Sequence, residues 1–89
     1  MAETVKLPKW GLTMEEATIK EWLLEPGEEV KRGDVIATVE SEKADIDLPS
    51  PTSGVFAKVL VEDGETVPVG AELAIIAADE AEYRELEEG

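Results

Sequence analysis

Few residues in this chain can do chemistry. Its 89 residues include no cysteine and no histidine. That removes thiol nucleophiles and disulfides, the common zinc sites, the Ser-His and Cys-His catalytic arrangements and the usual general base near neutral pH. The group that stands out is the amine of Lys43, in the run Glu40-Ser41-Glu42-Lys43-Ala44-Asp45. A lysine at a turn is ordinarily a solvated charge. The same position also suits a covalent carrier, because a turn between paired strands projects one side chain far from the core while the strands fix where it points. Glu42 and Asp45 keep such a tip wet and resist its burial. If the chain takes part in catalysis, it borrows the reactive group.

Lys43 owes its prominence to what surrounds it. Glu25 to Val39 repeats as Glu62 to Ile76 at an offset of 37: Glu25, Gly27, Glu28, Val30, Gly33 and Ala37 recur as Glu62, Gly64, Glu65, Val67, Gly70 and Ala74. A second block, Val5-Lys6-Leu7-Pro8, aligns with Ile46-Asp47-Leu48-Pro49 at an offset of 41. Two copies of one unit bury their apolar faces against each other, here about an approximate two-fold axis. Lys43 falls in the connector between the copies and inside neither.

Short apolar runs punctuated by turn signals read as strands: Val5 to Leu7, Thr18 to Leu24, Val35 to Val39, Asp45 to Leu48, Val55 to Val61 and Leu73 to Ala77. Glu25-Pro26-Gly27-Glu28 and its repeat Glu62-Asp63-Gly64-Glu65 are turns. The expected fold is all-β, a flattened barrel or sandwich of two four-stranded antiparallel sheets with pseudo-two-fold symmetry, in essence one sheet per copy. Matched positions predict a core of Val5, Leu7, Ile19, Val30, Ile36, Val39, Ile46, Leu48, Val59, Val67, Leu73 and Ile76. Residues 1–78 form the domain. The acidic tail, residues 79–89, reads as the start of a linker or a frayed turn, with Asp79 able to cap a short helix.

The copies differ at one loop. Between Pro8 and Ala17 lie eight residues, Lys9 to Glu16, whereas Pro49 and Gly54 are joined by four, Ser50 to Ser53. The repeat does not demand the four extra residues, nor the apolar Trp10, Leu12 and Met14. They either cap the open end of the barrel or form a recognition loop.

Eight basic residues against twenty-two acidic ones give a net charge of −14. Phosphate backbones and anionic membrane surfaces would be repelled, which argues against nucleic-acid and membrane roles. So much acid serves solubility, and could also steer the chain toward a basic partner. No apolar run approaches the length of a membrane span, and the first residues lack the pattern of a signal peptide. The expected location is cytoplasmic or a comparable internal compartment.

Taken together, these residues resemble a lipoyl domain of the 2-oxo acid dehydrogenase complexes, specifically the N-terminal domain of the E2 component, a dihydrolipoyl acyltransferase. Glu40-Ser41-Glu42-Lys43-Ala44 resembles the family's attachment motif, with serine where threonine is commoner. Leu7 to Glu16 resembles the opening of pyruvate and acetoin dehydrogenase E2 chains, and Pro49 to Gly54 and Val67-Pro68-Val69-Gly70 also fit, so the likeness covers residues 4 to 78. The resemblance implies a swinging-arm carrier rather than an enzyme in its own right, with lipoate amide-linked to Lys43 by a lipoate ligase or lipoyl transferase, and Glu42 and Ala44 flanking the site. It implies three partners: a thiamine-dependent E1 that reductively acylates the arm, the E2 catalytic domain that takes the acyl group, and a flavin-dependent E3 that reoxidises the dithiol. It assigns partner recognition to Trp10, Leu12, Met14, Glu40 and Asp45, no metal, and a monomeric domain. The alternative is a biotinyl carrier domain of a biotin-dependent carboxylase, whose lysine typically lies between methionines. The glycine-cleavage H protein is normally longer, and membrane-fusion adaptors lack the lysine.

Overall fold

A computed structural model describes residues 2–9, 15–41 and 44–88. Among these described residues, eight strands run in chain order β1 (Glu3–Lys6), β2 (Glu16–Trp22), β3 (Glu29–Val30), β4 (Val35–Glu40), β5 (Asp45–Pro49), β6 (Gly54–Val59), β7 (Thr66–Pro68) and β8 (Glu72–Ala77), followed by one helix, α1 (Glu80–Glu88). They form two open four-stranded antiparallel sheets, β1-β8-β6-β3 and β5-β4-β2-β7, with no closed barrel.

The sheet order corrects the expectation of one sheet per copy. Each sheet takes its two central strands from one copy and its two edges from the other: β8 and β6 are flanked by β1 and β3, and β4 and β2 by β5 and β7. The turn after β2 therefore crosses from one sheet to the other, as does the turn after β6. Gly27 and Gly64 make those crossings at φ of +100° and +88°, a region that costs glycine little and other residues more. In each turn a glutamate three positions along closes the loop by accepting from the first backbone N–H, Glu28 from Glu25 at 2.6 Å and Glu65 from Glu62 at 2.7 Å.

Register obeys the offset of 37 residue by residue. Thr18 faces Glu40 and Val55 faces Ala77; Trp22 faces Ala37 and Val59 faces Ala74. Even the bulges correspond, falling between Ile19 and Glu21 and between Phe56 and Lys58. The core consists of symmetric pairs, each fully or almost fully buried: Ile19 with Phe56, Val30 with Val67, Ile36 with Leu73, Ala37 with Ala74 and Val39 with Ile76. Of the twelve expected core residues, Ile46 and Val59 are only half-buried. Phe56, the largest fully buried side chain, was not among the twelve. Trp22 leans on it with ring centroids 5.6 Å apart and donates its indole N–H to the Val61 carbonyl at 3.0 Å.

The second block of the repeat needs a different offset from the one its sequence implies. Gly33 donates to the Ser50 carbonyl and Ser50 to the Asp34 carbonyl; Gly70 donates to the Leu7 carbonyl and Leu7 to the Ala71 carbonyl, all at 2.8–3.0 Å. Leu7 is thus the counterpart of Ser50, at an offset of 43 rather than 41. The shared Leu-Pro dipeptides are coincidental. Both counterparts are buried, at 1 % and 3 % exposure, and the Ser50 hydroxyl is satisfied by donating to the Thr52 carbonyl at 2.6 Å.

The tail is more than a frayed turn. Asp79 caps α1 by accepting from the Glu82 N–H at 2.9 Å, while Glu82 accepts from the Ala78 N–H at 2.8 Å. Tyr83 lies so close to Gly27 that a Cβ there would sit 3.3 Å from its hydroxyl. Helix and sheets are therefore in contact at the crossing that follows β2.

Candidate functional site

β4 and β5 form the hairpin that carries the Lys43 connector, paired from Val35 opposite Pro49 to Glu40 opposite Asp45. Beyond that last pair, Ser41 closes the turn three times over. Its N–H donates to the Ala44 carbonyl at 3.0 Å, its hydroxyl donates to the same oxygen at 2.9 Å, and that hydroxyl lies 3.4 Å from the Ala44 N–H. A serine three residues before its partner is a local turn-former. Glu42 and Lys43, the two residues between, lie outside the described residues, as do Trp10, Leu12 and Met14.

Of the remaining expected site residues, Glu40, Ala44 and Asp45 are exposed on the two legs of the hairpin. A group joined to an amine in this turn would meet solvent at the turn's base, not a wall of core side chains. That fits a long covalent attachment, and a primary amine is the nucleophile an activated carboxyl needs to form an amide.

Two residues to which the sequence alone assigned no role belong to this end. Lys20, in the β2 bulge, donates to Asp45 with Nζ 2.7 Å from Oδ2. The Asp45 hydrogen bond and charge, with Glu40 and Glu21 nearby, hold its ammonium above the ordinary lysine range. Ser41 itself could have been found from its spacing to Ala44. Lys20 could not, because the bulge that aims it leaves no mark in the sequence.

The hairpin end and the chain's ends lie at opposite extremes. β2 starts beside the Lys43 turn, where Thr18 faces Glu40, and runs away from it to Gly27, which bonds the Phe56 carbonyl and touches Tyr83 of α1. Ala77 sits at that far end opposite Val55, and Glu3 pairs with the neighbouring Ile76. Under the pseudo-two-fold, Ser41 corresponds to Ala78: where the first copy makes the Lys43 turn, the second copy leads into the helix.

The loop from Pro8 to Glu16 exceeds its counterpart by more than the sequence repeat implies. The offset is 43 at Leu7 and Ser50, but 37 from Ala17 and Gly54 onward, so the first copy carries six surplus residues here, not four. Leu7-Pro8 matches Ser50-Pro51, and Glu15-Glu16-Ala17 matches Thr52-Ser53-Gly54. The surplus is Lys9 to Met14, which contains all three apolar residues of the loop.

A family model described as "Biotin-requiring enzyme", the biotin/lipoyl family, matches residues 3–76. The dihydrolipoyllysine-residue acetyltransferase component of the acetoin cleaving system of Pseudomonas putida is 39 % identical over 84 residues, which is 94 % of this chain and 23 % of that protein. The corresponding component of the pyruvate dehydrogenase complex of Zymomonas mobilis is 38 % identical over 78 residues, 86 % of this chain and 18 % of that protein. The chain thus spans about a fifth of the length of these curated relatives. Among solved structures, the solution structure of the lipoyl domain of the 2-oxoglutarate dehydrogenase complex from Azotobacter vinelandii superposes with a TM-score of 0.68 at 28 % identity, covering 83 % of this chain and 94 % of that one.

Proposed function

This chain belongs to the biotin/lipoyl attachment family, and we propose that Lys43 carries lipoate. The observation that supports this most is the hairpin: a turn closed by Ser41 on Ala44, between strands held in register, at the end of the domain away from both termini. The match to a lipoyl domain and to lipoyl-bearing acyltransferases favours lipoate over biotin, as do the neighbours Glu42 and Ala44 in place of methionines. Lipoate would supply the redox-active sulfurs that a chain without cysteine lacks.

The protein's own contribution is positional. The sheets hold the turn's legs, Ser41 fixes its neck, and Glu40 and Asp45 keep its base in water. Departure of the chain from the opposite end leaves this end free to enter a partner's active site. Tethering then sets a high local concentration of arm at each site it can reach. On this reading the domain, residues 1–78, serves a larger dihydrolipoyllysine acyltransferase in an internal compartment. Residues 79–89 begin its connection to the rest, and its partners are a lipoate ligase or lipoyl transferase, a thiamine-dependent E1, the E2 catalytic domain and a flavin-dependent E3.

Incubation with lipoate ligase and lipoate, set beside biotin ligase and biotin, tests the reading by intact mass. One lipoyl group per chain and no biotin is the expected result. Efficient biotinylation without lipoylation would replace lipoyl carrier with biotinyl carrier.

A further inference from the structure

We propose that Lys20 is a positioning residue for the modification of Lys43: by bonding Asp45 across β4, it straps down the leg on which the chain returns from the attachment turn. The inference rests on Lys43 being the attachment lysine. Its geometry is independent of that reading. In β2, Ile19 faces Val39 and Glu21 faces Thr38, so Lys20 is the extra residue of a bulge, and bulges re-aim side chains. Asp45 lies on β5, with β4 between them. Two strand spacings amount to about 9.6 Å, a span that an extended lysine and an aspartate cover together. The bond lands on the last paired position before the turn, Asp45 opposite Glu40.

The repeat supplies an internal control. An offset of 37 puts Ala57 where Lys20 is, and an offset of 43 puts Ala2 where Asp45 is. Neither alanine can make such a bond. The surrounding backbone bonds, by contrast, are duplicated: Ile19 to Glu65 and Gly64 to Ile19 recur as Phe56 to Glu28 and Gly27 to Phe56. The fold therefore closes without a strap, and the strap occurs only in the copy that leads to Lys43. With its side chains 52 % and 48 % exposed, the pair is screened by water and adds little to global stability. Its effect is local.

The test uses the chain itself with purified lipoate ligase, lipoate and ATP, varying chain concentration to separate KM from kcat. Lys20→Met and Asp45→Asn should each lower kcat/KM for modification of Lys43 by at least about threefold, mostly through KM, because the ligase must order a looser turn. Lys20→Arg should stay near wild type, and the exchange Lys20→Asp with Asp45→Lys should recover much of the loss. A merely structural role would not distinguish arginine from methionine. Amide hydrogen exchange at Ser41, whose N–H bonds Ala44, should quicken in Lys20→Met while the thermal midpoint stays put. Unchanged kinetics and unchanged Ser41 protection in Lys20→Met overturn the proposal, as does Lys20→Arg behaving like Lys20→Met. A wild-type chain that takes no lipoate on Lys43 sinks the attachment reading instead; Ser41 exchange still decides whether the strap holds the turn.

Discussion

On the proposed carrier reading, removing Lys9 to Met14 should leave the fold intact and cripple reductive acylation by a thiamine-dependent E1. The deletion joins Pro8 to Glu15, so that Leu7-Pro8-Glu15-Glu16-Ala17 reproduces the spacing of Ser50-Pro51-Thr52-Ser53-Gly54. The bonds on either side survive: Gly70 to Leu7 and Val69 to Glu15, both 2.9 Å. Shortening the connection between Leu7 and Ala17 threefold, from nine residues to three, changes loop-closure entropy by about (3/2)RT ln 3, or about 1 kcal/mol in favour of folding. Urea unfolding should therefore show stability within about 1 kcal/mol of wild type, and lipoylation of Lys43 should proceed normally. Reductive acylation by the cognate E1 should fall at least about tenfold in kcat/KM, which is about 1.4 kcal/mol of lost transition-state binding. If the shortened chain unfolds, Trp10, Leu12 and Met14 cap the core. If it folds and is acylated at the wild-type rate, the surplus loop is not recognition surface, and the reasoning from the repeat fails.

Gly54→Ala should cost about 3 kcal/mol or more, since the added Cβ would collide with the Ala77 carbonyl oxygen, a backbone atom that cannot swing aside; Ala17→Gly at the matching position should cost only about 1 kcal/mol, and equal costs in urea titrations would contradict the close approach. Phe56→Ala should lose about 3–5 kcal/mol, a large share of what a domain of this size has, so a cooperative transition at the wild-type midpoint would refute its place at the centre of the core. Stability should decline as pH rises past the ordinary values of these groups, 10.0 for the Tyr83 phenol and 10.5 for the Lys20 ammonium. A bond to Glu87 raises Tyr83 in the folded state and Asp45 raises Lys20, so the folded chain holds more protons than the unfolded one in that window and unfolding becomes easier with pH. Tyr83→Phe should flatten the decline in thermal melts taken across that range; a steeper decline would reverse the sign argued for Tyr83.

The repeat was legible because its turns constrain residue type. Gly27 and Gly64 recur where the backbone must turn left-handed, and Glu28 and Glu65 where a carboxylate closes the loop. The exchange of edge strands between copies was not legible, because β3 and β7 have two and three residues, too few for a periodic signal. Phe56 escaped because its counterpart is Ile19, and matching by identity passes over an aromatic that fills the same space. The offset at Leu7 was misread for a related reason: a buried leucine stands opposite a buried, internally bonded serine, and hydrogen bonds rather than side chains define the equivalence. Lys43 drew attention by its place between the copies, whereas Lys20 became visible only once the β2 bulge brought its ammonium to Asp45.

Peptide mapping after lipoylation tests the central claim most directly. The account predicts a lipoyl group on the peptide containing Lys43 and on no peptide containing Lys6, Lys9, Lys20, Lys31 or Lys58. Lys43→Gln should abolish modification while shifting stability by no more than about 0.5 kcal/mol. A lipoyl group on any other lysine, or modification that persists in Lys43→Gln, would contradict it.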